Sequence, residues 1–254
     1  MSDGGRARGF RGGGMKRVRM VIEYDGTLFF GWQRQPGGIV TVQGELERVL
    51  SRIVQEDVLL VGAGRTDRGV HARGQVASFT TVSGMPLDRL CHAMNCLLPE
   101  GVYVRSMQEV PMEFHARFSA LWRQYRYTLV QEPFPLLRRF AGVHRGPHEL
   151  EAMNAVADVM VGEHDFGAFS RSGSDTKTTI CSVHHAVWRR NSERLVFDVR
   201  ADRFLRSMVR YLVSASITMQ PGEVWEALQT GTLGRRLKPA DPAGLVLWEV
   251  GYGE

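Results

Sequence analysis

Apolar and polar residues alternate through VRMVIEY (18–24), the two-residue period of a half-buried strand. VQGELERVLSRIV (42–54) changes period and brings Val42, Leu46, Val49, Leu50, Ile53 and Val54 to one face of a helix. VLLVGA (58–63) and QVASFTT (75–81) read as strands. PLDRLCHAMNCLL (86–98) reads as a helix with proline in its first turn and Leu87, Leu90, Cys91, Met94, Leu97 and Leu98 aligned. GVYVRSMQEV (101–110) closes this half as a strand. The pattern then recurs: a strand at 122–130, a helix at 147–161 ending on Gly162, strands ICSVHHAVWRR and RLVFDVRA across a turn at 191–193, helices at 203–217 and 222–229, and a last strand at 244–252.

The predicted fold class is α+β, built from two β-α-β-β-α-β halves of the split type that RNA-recognition modules also use. Residues 15–112 form the first half and 113–254 the second, with their antiparallel sheets joined and a cleft along the junction near 111–121. Residues 1–14, rich in glycine and arginine with little to bury, read as a disordered tail.

A chain of 254 residues with 43% hydrophobic content can bury a substantial core. No apolar run is long enough to span a bilayer, and the N-terminal stretch lacks the apolar middle of a signal peptide, so no membrane association and a cytoplasmic location are expected. Cys91, Cys96 and Cys181 have neither the number nor the spacing of a disulfide framework or zinc site, and the first two are expected in the core. The formal charge of +5 changes little, because Arg6, Arg8, Arg11, Lys16, Arg17 and Arg19 against Asp3 account for all of it. A nucleic-acid surface must therefore come from local clustering. Only Lys16, Lys177 and Lys238 among the 32 basic residues are lysines; arginine suits bidentate phosphate contact and stacking, although a general arginine preference gives the same bias.

The densest chemistry lies in GAGRTDRGVHARG (62–74), which admits several readings. Gly62, Gly64 and Gly69 follow a strand but lack the G-x-G-x-x-G spacing of a dinucleotide loop. Asp67 and His71 form an incomplete metal pair without a nearby third ligand. A turn with a surface ion pair is the plain alternative. The fourth reading is a catalytic carboxylate acting on nucleic acid: Asp67 between Arg65 and Arg68 would be biased toward its ionised form, and the arginines would hold phosphate. Elsewhere, Tyr125 and Tyr127 alternate with Arg126 on a strand, where one tyrosine is explained by core packing. On the helix expected at 203–217, Arg203, Arg206 and Arg210 line up opposite Phe204, Leu205, Met208, Val209 and Leu212, facing RNA or water. His164 and Asp165 in GEHDF read as part of a structural turn.

AGRTDRGVHARGQVASF resembles the RTDxGVH signature of the TruA-type tRNA pseudouridine synthases. In the same order, IEYDGTLFFGWQRQ, VQGELERVL, FHARFSALWRQYRY, FLRSMVRYLV and KPADPAGLVLWEV are similar to further segments of that family. The resemblance covers residue 16 to the end. It implies a cofactor-free isomerisation of uridine to pseudouridine, without a metal, in the tRNA anticodon stem-loop just 3′ of the anticodon (tRNA positions 38, 39 or 40), carried out by a homodimer. It also implies Asp67 as the essential carboxylate, Arg65 as the arginine entering the RNA beside the target, Tyr125 as the tyrosine stacking on the base, Arg210 as the aspartate's cation and Leu245 as a pocket wall. The chain departs from the pattern at Arg68, where alanine is usual, and at Arg203, Tyr211 and Ser214. A non-catalytic RNA-binding or tRNA-folding protein on the same scaffold and a hydrolase releasing free uracil are the competing readings.

Overall fold

Val18, Met20, Ile22 and Tyr24 are buried along β1 (Lys16–Tyr24), as their two-residue spacing requires. In the computed structural model, which describes residues 14–171 and 178–253, the chain continues as α1 (Val42–Val54), β2 (Val61–Gly62), β3 (His71–Thr81), α2 (Leu87–Leu97) and β4 (Val102–Val110). The second part runs β5 (Ala120–Val130), β6 (Gly142–Val143), α3 (Leu150–Val159), β7 (Gly162–Asp165), β8 (Ile180–Asn191), β9 (Arg194–Ala201), α4 (Met208–Thr218), α5 (Pro221–Thr230) and β10 (Leu245–Tyr252). The tail read over 1–14 lies outside the described residues except for Gly14.

One mostly antiparallel sheet runs β4-β1-β3-β10-β5-β9-β8-β7, with β2 added to β3 and β6 to β5. The seam is made by the final strand. β10 meets β3 in a parallel ladder of two pairs, Val246 with His71 and Leu247 with Ala72. It meets β5 antiparallel from Leu245 opposite Tyr127 to Tyr252 opposite Ala120. Two glycines permit the close fit: a Cβ on Gly74 would lie 2.6 Å from the Trp248 carbonyl oxygen, and one on Gly251 would lie 2.0 Å from the Trp122 ring.

Arg123 of β5 adds a polar clamp across the seam. Its Nη1 donates to the carbonyls of Ala120 (3.1 Å) and Asp202 (2.9 Å), and its Nη2 to those of Ala63 (3.0 Å) and Arg117 (2.6 Å). The two long-range acceptors precede the 64–70 loop and the approach to α4.

Several elements differ from the sequence expectations. The strand expected at 58–63 is reduced to Val61–Gly62, because α1 takes the preceding backbone: Val58 N–H donates to Ser51 Oγ, Leu60 N–H to Glu47 Oε1, and Gln43 Nε2 to Leu60 O. The helix expected from 203 begins at Met208, after Ser207 at φ +59°, so Arg203 and Arg206 are not on it and the three-arginine helical stripe does not form. Arg203 instead donates to the carbonyls of Ile180 (3.1 Å) and Thr178. Gly162, expected to cap α3, opens β7, and the GEHDF segment pairs with β8 in place of the expected turn. Cys96 is exposed and Cys91 half-buried. Among the described residues no helix is long and apolar enough to cross a membrane.

Replacing Arg123 with methionine keeps an unbranched stem but strands four carbonyls. The expected loss is about 3 kcal/mol, the worth of one or two charge-assisted hydrogen bonds. Urea unfolding should show it as a lower midpoint at unchanged m-value.

Candidate active site

The 63–70 loop leaves β2 and enters β3 under tight backbone control. Ala63 N–H donates to Val76 O (2.7 Å), Gln75 Nε2 to Gly64 O (3.0 Å), Trp32 N–H to Thr66 O (3.1 Å) and Val70 N–H to Asp67 O (3.1 Å). The hydroxyls of Tyr24 and Thr66 are 2.8 Å apart, both residues being buried. The segment after β1 packs directly on this loop. A Cβ on Gly26 would sit 2.0 Å from Val70 O, and one on Gly31, already at φ +89°, would sit 2.8 Å from Thr66 O. The two glycines of YDGTLFFG are thus the condition for its backbone to support the loop.

Asp67 projects from this loop with its side chain 29% exposed. Ser207 Oγ donates to its Oδ2 at 2.6 Å, and Arg210 Nη1 lies 3.4 Å from the same oxygen. Arg210 is itself held, because its Nε donates to Ala240 O (2.6 Å) while Ala240 N–H donates to Arg210 O (3.0 Å). The expectation that Arg68 flanks the Asp67 carboxylate needs correction: the Arg68 guanidinium lies over the Phe30 ring at 4.1 Å, and among the described residues α4 brings a cation, Arg210, to the carboxylate. Arg65 is exposed on the same loop.

Tyr125 and Tyr127 face the same side of β5, opposite Leu247 and Leu245 respectively. Both tyrosines are buried. Tyr127 is locked in the core: a Cβ on Gly142 would fall 1.9 Å from its Oη, and one on Gly244 would fall 2.6 Å from its Cζ. Tyr125 meets the edge of Phe204 with ring centroids 5.1 Å apart. Burial, and secondarily Tyr24 and Asp67, push its phenol well above the ordinary value of 10, reinforcing the neutral form that a phenol already has at neutral pH. Leu245 is buried at the start of β10. Asp67, Arg210, Tyr125 and Leu245 thus come from four segments of the chain on the two sides of the seam.

The tRNA pseudouridine synthase family model matches residues 20–119 and 156–253. The chain belongs to the tRNA pseudouridine synthase family. It is 51% identical over 242 residues to the tRNA pseudouridine synthase A of Chlorobaculum tepidum, covering 93% of this chain and 98% of that protein. It is 52% identical over 243 residues to the one of Chlorobium luteolum (94% and 96% covered), and 39% identical over 250 residues to the one of Acetivibrio thermocellus (94% and 100%).

Within this member of the synthase family, three features escaped sequence reasoning. Ser207 looked like a helical residue, and only its left-handed backbone turns it to Asp67. The Tyr24, Thr66 and Gln75 group joins residues distant in sequence. His71, which the sequence offered only as half of an incomplete metal pair, is buried behind the loop. Its Nδ1 accepts from Gly26 N–H (3.1 Å) and lies 3.2 Å from Asp25 Oδ1, Arg139 ion-pairs with Asp25, and the Phe140 ring packs at a tilt with centroids 4.8 Å apart. Among the described residues no three His, Cys, Asp or Glu side chains converge.

Burial lowers the His71 pKa from its ordinary 6.5, opposed by the Asp25 charge and by backbone hydrogen bonding at Arg139 and Ala243, and reinforced least by the Arg139 charge. The folded state therefore binds fewer protons than the unfolded state, and stability falls as pH drops below 6.5 toward the folded-state value. Melting temperature measured between pH 8 and pH 5 should decline less steeply in His71→Gln than in the wild type. Residual slope is expected from His115 and His144, which burial also lowers.

Proposed function

We propose that this chain isomerises uridine to pseudouridine in tRNA, with Asp67 as the catalytic carboxylate. The carrying observation is the lone carboxylate on the 63–70 loop, held at one oxygen by Ser207 and Arg210. Family membership supplies the reaction and the substrate class.

In the reaction the bond from ribose C1′ to N1 of the base breaks, the uracil turns, C1′ bonds to C5, the C5 proton leaves and N1 gains a proton. Atoms and oxidation state are conserved, so no redox cofactor is called for. Asp67 serves by attacking the ribose, removing a ribose proton or adding to the base, each of which needs it ionised. Arg210 offsets that charge. Tyr125 and Leu245 wall the detached base so that it recombines with the ribose. Arg65, exposed on the loop, enters the space left when the target nucleotide is drawn from its stack.

The finer assignment follows the family pattern: uridines of the anticodon stem-loop just 3′ of the anticodon, modified in the cytoplasm by a homodimer. A face for the second subunit is available on the side of β5 opposite Tyr125. There Arg200 lies over Trp122 at 4.2 Å, and Arg126 and Arg73 lie over Trp248 at 3.9 and 4.6 Å.

Unmodified tRNA transcripts incubated with the protein and digested to nucleosides should yield pseudouridine at the expense of uridine, mapped to the 3′ side of the anticodon loop and stem, with no free uracil. Free uracil would identify a hydrolase. Tight tRNA binding without product would leave an RNA-binding scaffold. Sedimentation should give twice the chain mass.

A further inference from the structure

Three described non-glycine residues have positive φ: Gln55, Ser192 and Ser207. Gln55 ends α1 and Ser192 lies in the β8–β9 turn, where left-handed backbone is ordinary. Ser207 is different. It is the N-cap of α4, a position where serine normally adopts extended backbone and turns its hydroxyl onto its own helix. Here φ is +59° and ψ is 5°, and its side chain makes no capping hydrogen bond. The hydroxyl instead donates to Asp67 Oδ2 at 2.6 Å, 140 residues away in sequence.

The backbone on either side is anchored. Leu205 and Met208 are buried, Met208 N–H donates to Leu205 O, and Ser207 O accepts from Arg210 and Tyr211 N–H at 3.1 and 3.2 Å. The helix therefore gives up its own cap and takes a disfavoured backbone conformation at the residue that reaches the carboxylate. Such strain persists where surrounding structure over-determines it, and it clusters at sites where geometry serves function.

Ser207 and Arg210, one helical turn apart, both address Oδ2. We propose that Ser207 is a positioning residue that, with Arg210, holds Oδ2 of Asp67 and leaves Oδ1 as the oxygen that meets the nucleotide. The hydrogen bond fixes rotation about the Cβ–Cγ bond, which a single cation at 3.4 Å does not. This rests on Asp67 being the catalytic group, as proposed above.

The test separates hydroxyl from backbone. Ser207→Gly accepts the left-handed conformation without strain but has no donor. Ser207→Ala has neither advantage. Ser207→Asn tolerates the conformation and carries an amide donor. Single-turnover pseudouridine formation at saturating tRNA, tRNA affinity and melting temperature are measured for all three, beside Asp67→Asn. In Ser207→Gly the rate should fall about tenfold to a hundredfold, the range expected when a reacting group is misplaced by about an ångström. Its tRNA affinity should stay at the wild-type level and its melting temperature should not drop. Ser207→Ala should be as slow and melt lower, and Ser207→Asn should recover most of the rate. Wild-type rate in Ser207→Gly, or an Asn variant as slow as the Gly variant, overturns the proposal. Full activity in Asp67→Asn would overturn the catalytic reading beneath it, whereas an inactive Asp67→Asn beside a fully active Ser207→Gly would overturn the Ser207 role alone.

Discussion

Placement of the last strand, β10, between β3 and β5 is the constraint on which the rest of the structure depends. Among the described residues the two sides of the sheet share no other strand, and β10 reaches β3 through only two parallel residue pairs. So short a ladder is stabilised mainly by what surrounds it: buried Leu245, Leu247 and Val250, the side-chain-free approach at Gly74 and Gly251, and the four carbonyls gathered by Arg123. Because Arg123 grips Ala63 and Asp202 together, it fixes where the 63–70 loop and the approach to α4 begin. Asp67 and Ser207 hang from those two anchors.

The division of labour follows. The first half supplies a carboxylate on a loop held by backbone hydrogen bonds and by glycines that let the Gly26–Gly31 segment lie against it. The second supplies the cation, the serine donor, the phenol and the buried Leu245. Neither half holds the full set, so Asp67 meets Ser207 and Arg210 only where the sheet is closed. The apolar surroundings that bury Tyr125 are the same ones that would retain a detached base.

Much of this was legible in the chain. The 3.6-residue spacing of Val42, Leu46, Val49 and Leu50 predicts α1 to its terminal residues, and the alternation around Tyr125 and Tyr127 places both on one face of β5. The family resemblance, not the residue pattern itself, implied the pairing of Asp67 with Arg210, which lie 143 positions apart. What was not legible depends on tertiary partners. Residues 58–60 have strand-like composition, but Glu47, Gln43 and Ser51 take their backbone groups. Arg203 and Arg206 fit a helical wheel that the left-handed turn at Ser207 cuts short. Arg68 sits beside Asp67 in sequence yet stacks on Phe30, because the turn directs neighbouring side chains apart. Periodicity reports which face a residue occupies within an element; it carries no information about a side chain recruited from elsewhere.

The central claim, that Asp67 performs the isomerisation, is tested most directly by release of tritium from tRNA labelled at uridine C5, with wild type and Asp67→Asn compared in single turnover at matched tRNA occupancy. The account predicts release from the wild type and none from Asp67→Asn, whose amide keeps the shape and loses the charge. Tritium release by Asp67→Asn at the wild-type rate would contradict it.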